Sequence, residues 1–314
     1  MDPVTRGDPE SPLLWTRKST YKLRAALREH GHEIAPRSVY NLLRESGYTL
    51  PSNRKSEAGT SHPERNEQFE HIYQQVRGLL AAPQPVISVD AKKKDNRGTF
   101  KNHGKESHPT GKAPQVRVYD LLDQERGNAM PYGVDALARD QGWVSVGIRH
   151  ETAAFAVATI RAWWQQRGKP LYTKAKELYI TAEGGGSNGS RGRLWQTELQ
   201  RLAKALHLTI PVAPCPPGTS KWNKIEPRMF SFIAKNWRGR PLLDRVTVVT
   251  LIGNTKTKTG LTITARLDDK RYAKGRKVSD QELRSLNLKR DPFHGEWNYS
   301  IVPQTSRNKE VINA

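Results

Sequence analysis

Three short runs of β-forming residues, VISVD (86–90), LYITA (178–182) and LTIPVA (208–213), alternate with helical stretches, and nothing else in the chain constrains its fold as much. Runs this short and this apolar are strands buried between layers, so the expected class is α/β, a mixed sheet flanked by helices. The first run ends in Asp90 and the second is followed at once by Glu183. A third carboxylate, Glu226, sits on a helix predicted over about 221–236. Strands are also expected at 98–101, 115–122 and 261–267, and helices at about 65–82, 153–164 and 191–206. Ser279 with Glu282 fits a capping box for one more short helix.

Ahead of this unit, Leu23, Ala26 and Leu27 have helical spacing before Gly31. Val39, Leu42 and Leu43 repeat it between Pro36 and Gly47. Two short helices with a tight turn are helix-turn-helix-like, with Arg37, Ser38, Asn41 and Arg44 on the exposed face of the second. Residues 51–64 are polar and rich in Pro, Gly and Ser, as in a linker.

Charge narrows the partners. The 52 Lys and Arg exceed the 31 Asp and Glu by 21. Residues 1–82 carry 12 basic and 10 acidic residues, whereas residues 83–314 carry 40 and 21, concentrated at 91–117 and 216–245. Two basic clusters flanking a balanced middle favour a nucleic acid, because each phosphate neutralised releases a counterion. A membrane surface would call instead for one basic amphipathic helix. The longest apolar run, 153–160, is too short to cross a membrane, and the first ten residues lack the features of a secretory signal. The single cysteine, Cys215, excludes a disulfide framework and a cysteine-based zinc site. The expected location is cytoplasmic, with nucleoid association when bound to DNA.

Asp90, Glu183 and Glu226, brought together, would raise one another's pKa values unless a cation compensated them. Mg²⁺, with Mn²⁺ as a substitute, suits three hard carboxylate ligands, and paired ions clamp the oxygens of a phosphoryl displacement. Gly184–Gly186 remove side chains where a nucleic-acid backbone would approach. Lys92, Lys93, Lys94, Lys221, Lys224 and Arg228 would meet its phosphates. Asn223 shares a predicted helical face with Glu226 and would bind the metal's water or a phosphate oxygen. Taken singly, each feature has a plainer structural reading: a loop-capping Asp, a glycine turn, a solvated helix Glu.

The stretches VISVDAKKK, PYGVDALARDQGWVSVG, LYITAEGGGSNGSRGRLWQTELQRLA, PPGTSKWNKIEPRMFSFIAKNWRG and FHGEWNYSI resemble successive blocks of the ISAzo-thirteen family of bacterial insertion-sequence transposases. SPLLWTRKSTYKLRAAL and NRKSEAGTSHPERNEQF are similar to its segment ahead of the catalytic core. The resemblance implies a DDE transposase with an RNase H-like core, distantly related to the Tc/mariner and integrase enzymes. Asp90, Glu183 and Glu226 would be its catalytic and metal-binding acids. Water would cut at the terminal inverted repeats, and the freed 3′ hydroxyl would attack target DNA without a covalent enzyme intermediate. A homodimer or larger assembly on DNA is expected from the pairing of two ends. The corresponding divisions are a helix-turn-helix-like DNA-binding segment (1–50), a linker and helix (51–82), the RNase H-like core (83–245) and a basic C-terminal extension packed on it (246–314).

Three departures accompany the resemblance. The family's second acid is normally Asp in T-A-D-G-G-G-S-N, where this chain has Glu183. Its third acid is usually followed by His, where this chain has Pro227. Its members also tend to begin further upstream, so Met1 is expected to open a truncated copy. The competing reading is a catalytically degenerate copy that only binds DNA. Elsewhere, Cys215 and His294 read as packing residues, and Trp163 with Trp164 as core. Trp222 fits either burial or stacking on a base.

Overall fold

The computed structural model describes residues 5–7, 14–16, 19–48, 62–92, 95–96, 98–102, 104–117, 128–148, 150–185, 187, 189 and 192–304. The chain forms two units, Met1–Ala58 and Gly59–Ala314.

The first unit pairs β1 (Thr5–Gly7) antiparallel with β2 (Leu14–Thr16) and continues into α1 (Thr20–Glu29) and α2 (Pro36–Glu45). Ser19 caps α1 by accepting from the Lys22 N–H, and Pro36 at the first turn of α2 sacrifices no helical hydrogen bond. Gly31 and Gly47, both at positive φ, end the two helices at the points the sequence marks. Arg24 donates to the Ile34 carbonyl at 3.1 Å, fastening the connection between the helices back onto α1.

In the second unit, α3 (Arg65–Ala81) leads into β3 (Val86–Ala91) and the short β4 (Asp95–Asn96). A hairpin, β5 (Asn128–Ala136) and β6 (Gln141–Gly147), precedes α4 (Ala153–Trp163), a π turn (Trp164–Gly168) and the single turn α5 (Lys169–Leu171). Then follow β7 (Tyr179–Glu183), α6 (Arg193–Leu206) and β8 (Ile210–Cys215). The remainder comprises α7 (Ser231–Asn236), α8 (Arg245–Gly253), β9 (Thr262–Asp268), α9 (Asp280–Arg284), β10 (Leu288–Arg290) and β11 (Tyr299–Ile301). The sheet runs β10-β11-β8-β7-β3-β5-β6-β9, with β4 paired on β5. From β6 through β5 to β3 neighbours are antiparallel, and from β3 through β7 to β8 they are parallel. This is the RNase H-like arrangement that the resemblance implies.

Side chains alternate between two cores, as the two-residue period of a strand requires. Ile87 and Val89 face α4 and α6, burying Phe155, Ile160, Trp195 and Leu199. Val86 faces α3, and Val144 and Val146 face the layer that holds Ile225, Met229, Phe230 and Ile252. The hairpin brings Met229 and Phe230 so close to β5 that a Cβ at Gly133 would overlap both. Gly133 therefore permits that layer to seat, at the expense of local strand propensity.

Two expectations need correction. No strand forms among the described residues at 98–101 and 115–117, while 118–122 lie outside the described residues. Gly98 instead donates to the Leu242 carbonyl and Asn102 to that of Trp237, so this segment is coil fastened to the far end of α7. The helix expected over 221–236 is broken into a 3₁₀ turn (Ser220–Trp222), a π turn (Glu226–Phe230) and α7. Asn223, at φ −57° and ψ 126°, leaves helical geometry to reach into the sheet, and Pro227 has no N–H to give. Residues 246–304, within the expected C-terminal extension, pack on the core through Val248, Leu251 and Ile252 and also add to its sheet. Their strands β9 and β11 extend the sheet itself, against β6 and β8. The capping box at Ser279 and Glu282 forms as expected.

Candidate active site

Asp90 stands near the end of β3 and Glu183 at the end of β7. The parallel register pairs Val89 with Ala182, so the two residues that follow sit side by side, on strands about 4.8 Å apart. Asp90 is 4% exposed. Its carboxyl accepts from the Ala91 N–H at 2.7 Å and from Asn223 Nδ2 at 3.3 Å. Burial, reinforced by the nearby charges of Glu183 and Glu226, nonetheless pushes it up to about 7.

Glu226 is delivered from outside the sheet, on the first residue of the π turn. Burial raises its pKa, the Lys92 ammonium pulls it down and the Glu183 charge raises it again. The three carboxylates are therefore electrostatic neighbours, each paired with the other two. Among the described residues, no three His, Cys, Asp or Glu side chains already stand in a metal-holding arrangement.

Glu226 is fastened on both sides. Before it, Ser88 Oγ donates to Asn223 Oδ1 at 2.5 Å and accepts from the Ile225 N–H at 3.1 Å, while Asn223 Nδ2 also donates to the Val89 carbonyl at 3.0 Å. After it, Arg228 Nε donates to Asp135 Oδ2 at 2.7 Å and Nη2 to the Arg139 carbonyl at 3.2 Å. Ser88 and Asp135 are direct partners in the β3–β5 register. Asp135 is fully buried, and its Oδ1 has no hydrogen-bond donor among the described residues. Burial dominates the Arg228 charge there, and the carboxyl is pushed up to about 6. A π turn inserted where a helix would otherwise run is a common device at functional sites. Here it turns Glu226 toward the strand ends while both flanks stay anchored.

Several residues expected to meet phosphate have other partners. Asn223 is fully buried in the hydrogen bonds just described, so it orients Asp90 instead of facing solvent. Lys92 is buried, its ammonium 4.1 Å from the centre of the Trp237 ring. Arg228 is committed to Asp135, with Asp140 3.7 Å away. Lys221 and Lys224 are exposed beside the site, and Arg37, Asn41 and Arg44 are exposed on α2 of the first unit. Lys93 and Lys94 lie outside the described residues.

Ser88 and Asp135 are missed by motif reading. Their signal is faint: a serine two residues before the first acid, on the same face of a strand, and an aspartate inside an otherwise apolar strand. Gly184 lies close to β8, where a Cβ would press on the Cys215 carbonyl, whereas Gly185 is open, consistent with room for a backbone. Cys215 is buried, and its thiol is pushed up to about 12 by burial and by Asp90 and Glu183, which leaves it unreactive. His294 packs against Phe293 and Trp297 and pairs with Glu64 and Glu296. Among the described residues no helix is long and apolar enough to cross a membrane.

A family model described as Rhodopirellula transposase DDE domain matches residues 1–303. No curated protein matches the chain. Among solved structures, the Mos1 transposase paired-end complex with left transposon end aligns at 13% identity, covering 77% of this chain and 72% of that chain, with a TM-score of 0.43. The Mos1 mariner paired end complex with Mn gives the same identity, coverage and TM-score. A pre-cleavage Mos1 transpososome aligns at 14% identity over the same shares, with a TM-score of 0.42.

Proposed function

The chain belongs to the ISAzo-thirteen family of DDE transposases, and from that premise we propose that Asp90, Glu183 and Glu226 are the carboxylates with which it cuts and joins DNA at its element's inverted repeats. One observation supports this most: a buried Asp90 held up to about 7 by burial and by two like charges is a site short of positive charge. The donor set, all carboxylate oxygen, suits Mg²⁺, with Mn²⁺ as a substitute. Held by these three residues, the ion would activate the attacking oxygen and stabilise the leaving one in an in-line displacement.

The chain's own groups supply the rest. Asn223 holds the Asp90 carboxyl in one orientation through Nδ2. The open backbone at Gly185 leaves room for the scissile strand, and the exposed Lys221 and Lys224 would take its flanking phosphates. Lys92, buried near Glu226, offsets part of the rise that burial imposes on that carboxyl. Arg37, Asn41 and Arg44 on α2 would read or grip the inverted repeat. A dimer or larger assembly would hold two element ends and the target together.

The test is nicking of duplex DNA carrying the element's end by purified protein in Mg²⁺ or Mn²⁺. Cleavage by the wild type, abolished in Asp90→Asn and in Glu226→Gln with DNA affinity retained, is the expected result. Undiminished cleavage by Asp90→Asn would overturn the assignment.

A further inference from the structure

On the Asp90 face of the sheet, an open cleft of about 380 Å³ lies between α3 and the segment leading to Glu226, lined by Phe69, Tyr73, Val76, Thr181, Trp222 and Lys224 among others. Tyr73 and Trp222, the large aromatic side chains exposed in this unit among the described residues, both line it, at 64% and 53% exposure. Leaving an indole half in water forgoes burial that a tryptophan normally obtains.

This indole is nevertheless held in place. The Trp222 backbone N–H donates to the Thr219 carbonyl at 2.8 Å, fixing the main chain there, and the Phe69 ring lies 5.8 Å from the indole, tilted by 34°. The Arg65 guanidinium stands 5.8 Å from the ring centre. The next residue is Asn223, hydrogen-bonded to Asp90. The platform is thus fixed relative to the first acid by one residue of chain.

Charge identifies the occupant. Among the described residues the lining contains no carboxylate but does contain Lys224; the Arg65 guanidinium is near the indole, and Lys221, the preceding residue, is exposed. A flat apolar ring among cations matches a π-faced group attached to phosphates. Resting on the reading of the site as a DNA-cutting centre, we propose that Trp222, backed by Phe69 and Tyr73, stacks one unpaired nucleobase of the strand being cut. Displacing that base from the duplex would bring its neighbouring phosphate to the carboxylates.

The test uses the full chain and end-containing duplexes with 2-aminopurine at successive positions around the cut, bound in Ca²⁺. One position is expected to change fluorescence, and Trp222→Ala to abolish that change. In Mg²⁺, Trp222→Ala should cut fully paired DNA about tenfold or more slowly, Trp222→Phe should retain most of the rate, and a mismatch at the responding position should partly rescue Trp222→Ala. An unchanged melting temperature would show that both variants fold. Wild-type cleavage with Trp222→Ala indistinguishable from it overturns the platform alone. So does equal loss in Trp222→Phe and Trp222→Ala without mismatch rescue. A change in oligomer mass in Trp222→Ala, with no 2-aminopurine response in the wild type, would make the cleft a contact between copies. Wild-type protein that binds but cuts no end-containing DNA overturns the underlying reading and this inference with it.

Discussion

Ser88 and Asp135 face each other across β3 and β5, and each anchors one side of the turn that carries Glu226. Glu226 is thereby tied to the same strand as Asp90, although the two lie 136 positions apart in the chain. Removing either anchor should disturb catalysis before it disturbs DNA binding.

Ser88→Ala removes a buried hydroxyl that serves Asn223 and the Ile225 N–H at once. Orphaning those partners should cost about 1–3 kcal/mol of stability. A displacement of Glu226 by about an ångström should slow single-turnover cleavage on the order of 10²-fold. Cleavage kinetics with a DNA-binding titration would check it: a fall in affinity equal to the fall in rate would contradict the positioning role.

Arg228→Ala leaves the buried Asp135 without its counter-charge and should cost roughly 3 kcal/mol at pH 7. The deficit should shrink as pH falls. Asp135 has its pKa raised from 3.8 to about 6 in the folded protein, so between those values the folded state binds a proton that the unfolded state does not. Stability from this group is therefore gained as pH falls through about 6 and lost as it rises. Denaturant melts of both proteins at pH 5 and pH 7.5 would reveal the convergence.

Asp90 titrates by the same logic with a larger shift. Its carboxyl is raised from 3.8 to about 7, so at pH 8 the metal-free fold carries a buried charge that it would be more stable without. Asp90→Asn should melt higher than wild type at pH 8, by up to roughly 4 kcal/mol, and the gap should close toward pH 4. Added Mg²⁺ should raise the melting temperature of the wild type and leave that of Asp90→Asn nearly unchanged. Calorimetry with and without Mg²⁺ gives the answer directly.

Glu183 carries one methylene more than an aspartate at the same strand end would. Glu183→Asp should draw the carboxylate back by about an ångström and raise the cleavage rate by as much as roughly 10²-fold. A single-turnover assay in Mg²⁺ decides it, and a slower Glu183→Asp would mean that the surrounding strand ends are already adjusted to the longer side chain.

The strands bearing Asp90 and Glu183 were legible because β-branched runs buried on both faces have few other fates. The β5–β6 hairpin was less so, because Pro131, Gly133 and Gly142 interrupt its β-forming pattern. Their reason is tertiary, since Met229 packs where a side chain on Gly133 or Gly142 would be. Local spacing also favoured one continuous helix through Glu226. What breaks it is Asn223, whose burial against Ser88 and Asp90 depends on residues more than 130 positions away. The candidate acids could thus be proposed from sequence, whereas the residues that hold them depend on register and could not.

The strands at the two ends of the sheet carry a consequence for how the protein is made. On a ribosome, α1 and α2 emerge early and have mainly local contacts to form. β8 acquires its outer neighbour only when residues 299–301 of β11 have been synthesised, and β6 waits for 262–268 of β9. Until then both margins of the central sheet present unpaired backbone, a template for mispairing with other chains. A translation product that stops short of β11 would keep the small helical unit but lack the full sheet beside its acids, so cutting capacity should arrive only after residues 299–301 have been made.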